Sequence, residues 1–139
     1  MDQDARDSQG LILLVEDDSN QVLFLQRALA KARITNALHV VRNGEQAVLY
    51  LANRSNEAPS LVLLDLNVPR IRGMKVLEWI RAHPESREIP VVVVTSSIDP
   101  ADRRRADELG VLAYLCKPVC AEGLLELLDT VPWLHLVRE

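Results

Sequence analysis

Aromatic residues are scarce: one Phe, two Tyr and two Trp in 139 residues. With so few rings and no glycine-rich phosphate loop, a flavin at the edge of a sheet is a faint reading only. There is no excess of positive charge. The formal net charge of −4 argues against nucleic acid as the main partner. No apolar run is long enough to span a bilayer. The first ten residues are polar and hold Asp2, Asp4 and Asp7, so they read as a disordered lead-in and not as a signal peptide. The two cysteines, Cys116 and Cys120, sit in CKPVC, which is neither C-x-x-C nor a zinc pattern. They read as free thiols in a reducing cytoplasm, with nothing to support secretion. No repeat, low-complexity tract or linker divides the chain.

What is present is ordinary for one globular domain: 48% hydrophobic and 26% charged residues. Five apolar runs of strand length follow one another: Leu11–Val15, Leu38–Val41, Leu61–Leu64, Val91–Val94 and Leu112–Leu115. Several are continuous rather than alternating, as strands buried on both faces require. Helical spacing fills the gaps. It is marked by Val22, Leu25, Leu29 and Ile34; by Ala47, Val48 and Leu51; by Val76, Leu77, Trp79 and Ile80; by Ala106 and Leu109; and by Leu124, Leu125, Leu127 and Leu128. Ser19 and Asn43 are placed to cap the first two helices, Pro100 suits the first turn of the fourth, and Gly110 follows its end. Strand and helix alternate five times. The fold class is therefore α/β: three layers, with a doubly wound parallel five-stranded sheet between helices on both faces. The fifth helix is expected to end near Thr130. The domain is read as 11–130, with a lead-in at 1–10, an apolar tail at 131–139 and no room for a second domain.

Doubly wound sheets carry their chemistry beyond the carboxyl ends of the strands. In this chain those ends are followed by Glu16 and Asp17, by Asp65 and Asn67, by Thr95, and by Lys117. With strand order 2-1-3-4-5, strands one and three are neighbours, so Glu16, Asp17 and Asp65 converge. Clustered carboxylates repel unless a hard divalent cation sits among them, and oxygen ligands suit magnesium. A lysine and a hydroxyl beside them serve phosphoryl transfer, and a carboxylate can accept the group as an acyl phosphate. Taken singly, each residue has a plain alternative. Asp17–Asp18–Ser19 can cap a helix, Asp65 can be a turn residue, Thr95 a strand end, and Lys117 a solvated charge. Together they supply, in order, the acids, hydroxyl and amine that one reaction needs.

The stretches LILLVEDD, LVLLDLNVP, VVVVTSS and YLCKP resemble the receiver domain of two-component response regulators, over nearly the whole chain from Leu11 to about Thr130. That resemblance implies a CheY-like, flavodoxin-like fold of order 2-1-3-4-5, with Asp65 as phosphoacceptor. It implies that Asp17, Asp65 and the backbone carbonyl of Asn67 bind Mg2+ directly and that Glu16 does so through a water. Thr95 would follow the phosphoryl group and Lys117 would contact it. The peptide bond into Pro118 would be cis. Tyr114 would be the aromatic switch whose ring turns inward on phosphorylation, altering the face formed by the fourth helix, fifth strand and fifth helix. The partners implied are a sensor histidine kinase and, downstream, a protein or a histidine phosphotransfer protein, with no nucleic acid or membrane. The chain would be a cytoplasmic signalling protein, not an enzyme in the usual sense, catalysing its own phosphotransfer and dephosphorylation. Segments such as SNQVLFLQRAL and LDLNVPRIRGMKVLEWIRAHPESREIP look like single-domain receivers that serve phytochrome-type kinases.

Some features depart from the common pattern. Arg72 stands in PRIRG where an acidic or amide residue is usual before the glycine. Arg42, Arg70 and Arg72 form either a basic rim or a solvated loop, and Arg103–Arg105 are expected to face water on the signalling face. Asn67 and Ser97 occupy positions that tune phosphoryl lifetime in such domains. The apolar tail, with Trp133, either folds back on the core or covers a twin chain in a homodimer, which is slightly favoured. Two rival readings stand. An aspartate-nucleophile phosphatase would want Asp-x-Asp after strand one and would turn over phosphate esters. A pseudo-receiver would have lost one of Glu16, Asp17, Asp65, Thr95 or Lys117.

Overall fold

The computed structural model describes residues 10–119 and 121–129, without the side chains of Leu125, Leu128 and Asp129. Expectations about the lead-in before Gly10, about Cys120, the helix end near Thr130, the tail, and the packing of Leu125 and Leu128 lie outside these residues. Strands β1 (Leu11–Val15), β2 (Ala37–Val41), β3 (Leu61–Leu64), β4 (Val91–Thr95) and β5 (Ala113–Cys116) alternate with helices α1 (Ser19–Lys31), α2 (Gly44–Ala52), α3 (Gly73–Ala82), α4 (Pro100–Glu108) and α5 (Ala121–Asp129). All four strand pairings are parallel, in the order β2-β1-β3-β4-β5.

The continuous apolar runs become the central strands because both of their faces are covered. Ile12, Leu14, Leu61, Leu63, Val92 and Val94 pack against Val22, Leu25 and Leu29 of α1 and Leu124 of α5. Leu13, Val15, Val62, Leu64, Val91 and Val93 pack on the opposite face against Ala47, Val76, Leu77, Ile80 and Ala106 of α2, α3 and α4. Each large aliphatic side chain so buried contributes on the order of 2 kcal/mol. β2 departs from the continuous pattern: exposed and half-buried residues alternate along Ala37–Val40, as an edge strand with one neighbour allows.

Two details of α1 differ from the sequence reading. Its N-cap is Asp18, not Ser19: the Asp18 carboxylate accepts from the backbone N–H of Asn20 at 2.8 Å and Gln21 at 3.4 Å. Ser19 is already helical, and its hydroxyl accepts from the Arg42 guanidinium at 3.0 Å instead. Ile34 is buried but lies beyond the helix. Arg33 takes φ 62°, while the N–H groups of Arg33 and Ile34 return to the carbonyls of Ala30 and Leu29. This is the double hydrogen bond of a Schellman ending, which folds the next apolar side chain back onto the helix and so mimics helical spacing. The other caps fall where expected, with Asn43 accepting from Gln46 N–H at 2.8 Å and Pro100 opening α4 behind the Asp99 cap.

Candidate functional site

The register of the sheet brings the chemistry together. Val15 pairs with Leu64, and Thr95 with Cys116. The ladder then runs one step past the strands: Asp65 N–H donates to Val15 at 3.1 Å, Glu16 N–H to Val41 at 3.0 Å, and Lys117 N–H to Thr95 at 2.9 Å. Glu16, Asp65, Thr95 and Lys117 therefore stand along one rim. Glu16, Asp65 and Thr95 are 1%, 5% and 0% exposed; Thr95 is the last residue of β4, and all three polar side chains are enclosed at this rim rather than solvated.

Lys117 is no solvated charge either. Its Nζ donates to Glu16 Oε1 at 2.6 Å and to Asp65 Oδ2 at 2.8 Å, with the lysine side chain 13% exposed. The peptide bond that follows, Lys117–Pro118, is cis, as expected. Burial raises the Glu16 carboxyl above its ordinary range; the Lys117 hydrogen bond pulls it down, but the nearby Asp65 charge adds to the rise. Burial also works against the Lys117 ammonium. Its hydrogen bonds and charge interactions with Asp65 and Glu16 together outweigh that, so Lys117 is held above the usual lysine range and stays protonated.

Glu16, Asp17 and Asp65 each offer a carboxylate oxygen, and these lie within 4.8 Å of one another. Three carboxylates against one ammonium leave a formal charge of −2, with exposed Asp17 on the open side. An oxygen donor set with that residual charge fits a hard divalent cation. Asn67 lies exposed at the same mouth. Its backbone N–H donates to Asp65 Oδ1 at 3.0 Å, and its side-chain amide donates to Thr95 Oγ1 at 3.4 Å.

Thr95 connects onward. Its hydroxyl accepts from Ser97 N–H at 3.2 Å, and the Ser97 carbonyl accepts from the Tyr114 hydroxyl at 3.4 Å. The Tyr114 ring is inward, 9% exposed. Among the arginines singled out, Arg42 is spent on Ser19, and Arg70 reaches Glu45 at 3.7 Å with both side chains well exposed. Those contacts favour the solvated-loop reading of that rim. The triple arginine faces water, all three residues being exposed, yet Arg105 pairs with Glu78 and Glu108, and Arg103 lies over the Tyr114 ring.

Sequence reasoning missed two glycines that shape the site. A Cβ on Gly73 would collide with the Asp65 carbonyl and Leu66 Cα, and one on Gly44 would collide with the Ile71 carbonyl. Both helix starts are pressed against the loop after β3, with Gly73 N–H donating to Leu66 at 3.1 Å and Gly44 N–H to Pro69 at 3.2 Å. The glycine of PRIRG was the available signal; its necessity depends on a backbone contact that no local pattern encodes.

The family model of the response regulator receiver domain matches residues 12–129. Among curated relatives, the probable methanogenesis regulatory protein FilR2 of Methanothrix harundinacea is 36% identical over 124 residues, covering 87% of this chain and 80% of the relative. Response regulator Rcp1 of Synechocystis sp. is 34% identical over 133 residues, covering 91% and 90%. Of solved structures, the bacteriophytochrome response regulator RtBRR is similar at 37% identity and TM-score 0.78, over 86% of this chain and 76% of that one. The Mn2+-bound form of Rcp1 is similar at 33% and 0.75, over 88% and 91%. The phosphorylated cyanobacterial phytochrome response regulator RcpA is similar at 34% and 0.73, over 88% and 90%. The acid cluster, its bridging lysine, the sheet order and the match over almost the entire described chain lead to one conclusion: this chain belongs to the response regulator receiver domain family.

Proposed function

We propose that Asp65 is the phosphoryl acceptor of a two-component relay and that the chain signals through the conformational change this sets off. The observation that carries the reading is the Lys117 ammonium held on both Glu16 and Asp65 beside a third carboxylate. In the step proposed, a carboxylate oxygen of Asp65 attacks the phosphorus of a kinase phosphohistidine. The P–N bond breaks, the imidazole leaves with its electron pair, and an acyl phosphate remains. Glu16, Asp17, Asp65 and the carbonyl of Asn67 would hold Mg2+, which supplies positive charge against the phosphoryl oxygens. Lys117, held protonated by Glu16 and Asp65, adds a second positive charge there, and the Thr95 hydroxyl offers a hydrogen-bond donor. Water later hydrolyses the acyl phosphate, so the chain is a self-acting signalling protein and not an enzyme with an external substrate.

Similarity to the bacteriophytochrome response regulator RtBRR and the phytochrome response regulator RcpA supports a phytochrome-type histidine kinase as donor. FilR2, at comparable identity, is described as a methanogenesis regulator, so overall likeness leaves the stimulus open. Among the described residues no helix is long and apolar enough to cross a membrane. The proposed exchange with a kinase phosphohistidine would take place in the cytoplasm. Incubation with acetyl phosphate and Mg2+ followed by mass spectrometry tests the core of the reading. A phosphoryl group on Asp65, absent from Asp65→Asn, is expected. Modification elsewhere, or undiminished modification of Asp65→Asn, overturns it.

A further inference from the structure

The contacts that leave the acid cluster do not stop at Tyr114. The Arg103 guanidinium carbon lies 5.2 Å from the centre of the Tyr114 ring, inside the range of a cation–π contact. The residue before it, Asp102, accepts a hydrogen bond from the Ser97 hydroxyl at 2.6 Å. Adjacent residues in the first turns of α4 thus grip both ends of one arrangement. Asp102 holds the loop whose carbonyl receives the Tyr114 hydroxyl, and Arg103 covers the ring itself.

The rest of α4 has little to hold it. Ala106 is its only buried residue; its ion pairs to other elements among the described residues include the exposed one of Arg105 with Glu78, while Arg103 with Asp107 pairs within the helix itself. Exposed pairs of this kind contribute little. A helix so weakly seated takes its position from its few specific contacts, and two of these come from Asp102 and Arg103.

We propose that Arg103 is a positioning residue for Tyr114: its guanidinium, stacked on the ring, holds the tyrosine inward against Ser97. The ring in turn steadies the Ser97 loop whose N–H bonds Thr95, so Arg103 sits at the far end of a contact chain that runs Asp65, Asn67, Thr95, Ser97, Tyr114. The link from this chain to phosphorylation rests on the function proposed above. The stacking does not, and the experiment reads the stacking.

The chain holds two tyrosines, Tyr50 and Tyr114. Biosynthetic 3-fluorotyrosine therefore gives two 19F resonances, assigned with Tyr50→Phe, and the shift of each between H2O and D2O reports its exposure. For the unmutated chain the Tyr114 signal is expected to show little solvent shift. Arg103→Ala should move the inward–outward balance toward exposure by roughly two- to five-fold, the span of an exposed cation–π contact. Arg103→Lys, which keeps a cation, should restore part of the inward signal, while Arg104→Ala should be silent. A solvent-exposed Tyr114 in the unmutated chain overturns the proposal. So does an unchanged signal in Arg103→Ala, or an equal change in Arg104→Ala, which would trace the effect to helix stability. Failure of Asp65 to accept a phosphoryl group would leave these outcomes untouched.

Discussion

Lys117 stands 101 residues after Glu16, yet its Nζ is 2.6 Å from Glu16 Oε1. It also reaches Asp65 at 2.8 Å, so one ammonium keeps two buried carboxylates apart electrically. Removing it leaves both without a counter-charge. Lys117→Ala is expected to cost roughly 3–5 kcal/mol at neutral pH, the range for breaking a buried pair. Part of that should return on mild acidification, when a carboxyl takes up a proton. Urea unfolding at two pH values checks this, and an unchanged midpoint at neutral pH would show that the bridge is idle.

The raised Glu16 carboxyl makes stability depend on pH. A group whose folded pKa lies above its unfolded value contributes stability that is fully present below the unfolded value and is lost as pH rises through the folded one. Burial and the Asp65 charge outweigh the help from Lys117. Without a divalent cation, the chain should therefore lose stability as pH climbs out of the ordinary carboxylate range toward neutrality. Glu16→Gln should not, and should be the more stable of the two at neutral pH. Lys117 is also raised, so its own contribution stays constant over that window and fades only above the ordinary lysine range. Thermal unfolding in chelator across pH reads the difference; parallel curves would refute the Glu16 assignment.

A cation that binds only the folded state stabilises it by mass action, by about 2.7 kcal/mol at a hundredfold excess over Kd. Mg2+ is expected to raise the Tm of the unmutated chain. The gain should shrink in Asp17→Asn, because Asp17 is the exposed member of the triad and carries no part of the Lys117 bridge. Calorimetric scans with and without MgCl2 decide this, and equal gains in both proteins would remove Asp17 from the ligand set.

Gly73 lets α3 start directly against the Asp65 backbone. Gly73→Ala forces a methyl group into the Asp65 carbonyl and should destabilise by about 1–3 kcal/mol, as overpacking does. The acceptor loop must shift to admit it, so phosphorylation by acetyl phosphate should slow as well. A variant of normal stability and normal rate would mean that the loop yields freely.

Arg81 is a control at the opposite end of the sheet. Its guanidinium donates to the carbonyls of Leu109 at 2.7 Å, Ile89 at 2.8 Å, Arg87 at 3.1 Å and Gly110 at 3.2 Å, tying the end of α3 to the entries of β4 and β5. Arg81→Met should cost about 2 kcal/mol, in line with hydrogen bonds to a charged group. The initial rate of acetyl phosphate labelling should be unchanged. A slowed rate in the still-folded variant would tie the two ends of the sheet together.

Much of this molecule is legible from local pattern, because the signals involved are themselves local. The run Leu61–Leu64 reads as a doubly covered strand, and all four of its residues are fully buried. Asn43 and Pro100 mark helix starts by chemistry that acts within a single turn. The same logic misassigned the cap of α1, since Asp18 and Ser19 are both good caps and only the path of the backbone chooses between them. It also placed Ile34 in a helix that ends at Lys31, because a Schellman ending buries the next apolar residue just as another turn would.

The sequence by itself determined the alternation of strand and helix, and which residues follow each strand: Glu16 and Asp17, Asp65, Thr95, Lys117. Those follow from periodicity and from neighbours a few positions apart. Only the tertiary structure decided that Lys117 bridges two acids, that glycine is required beneath Asp65, and that Arg103 lies over Tyr114. Each of these depends on strand register and helix seating, which set the distances between residues remote in the chain, and Coulombic and steric energies turn on those distances within an ångström or two.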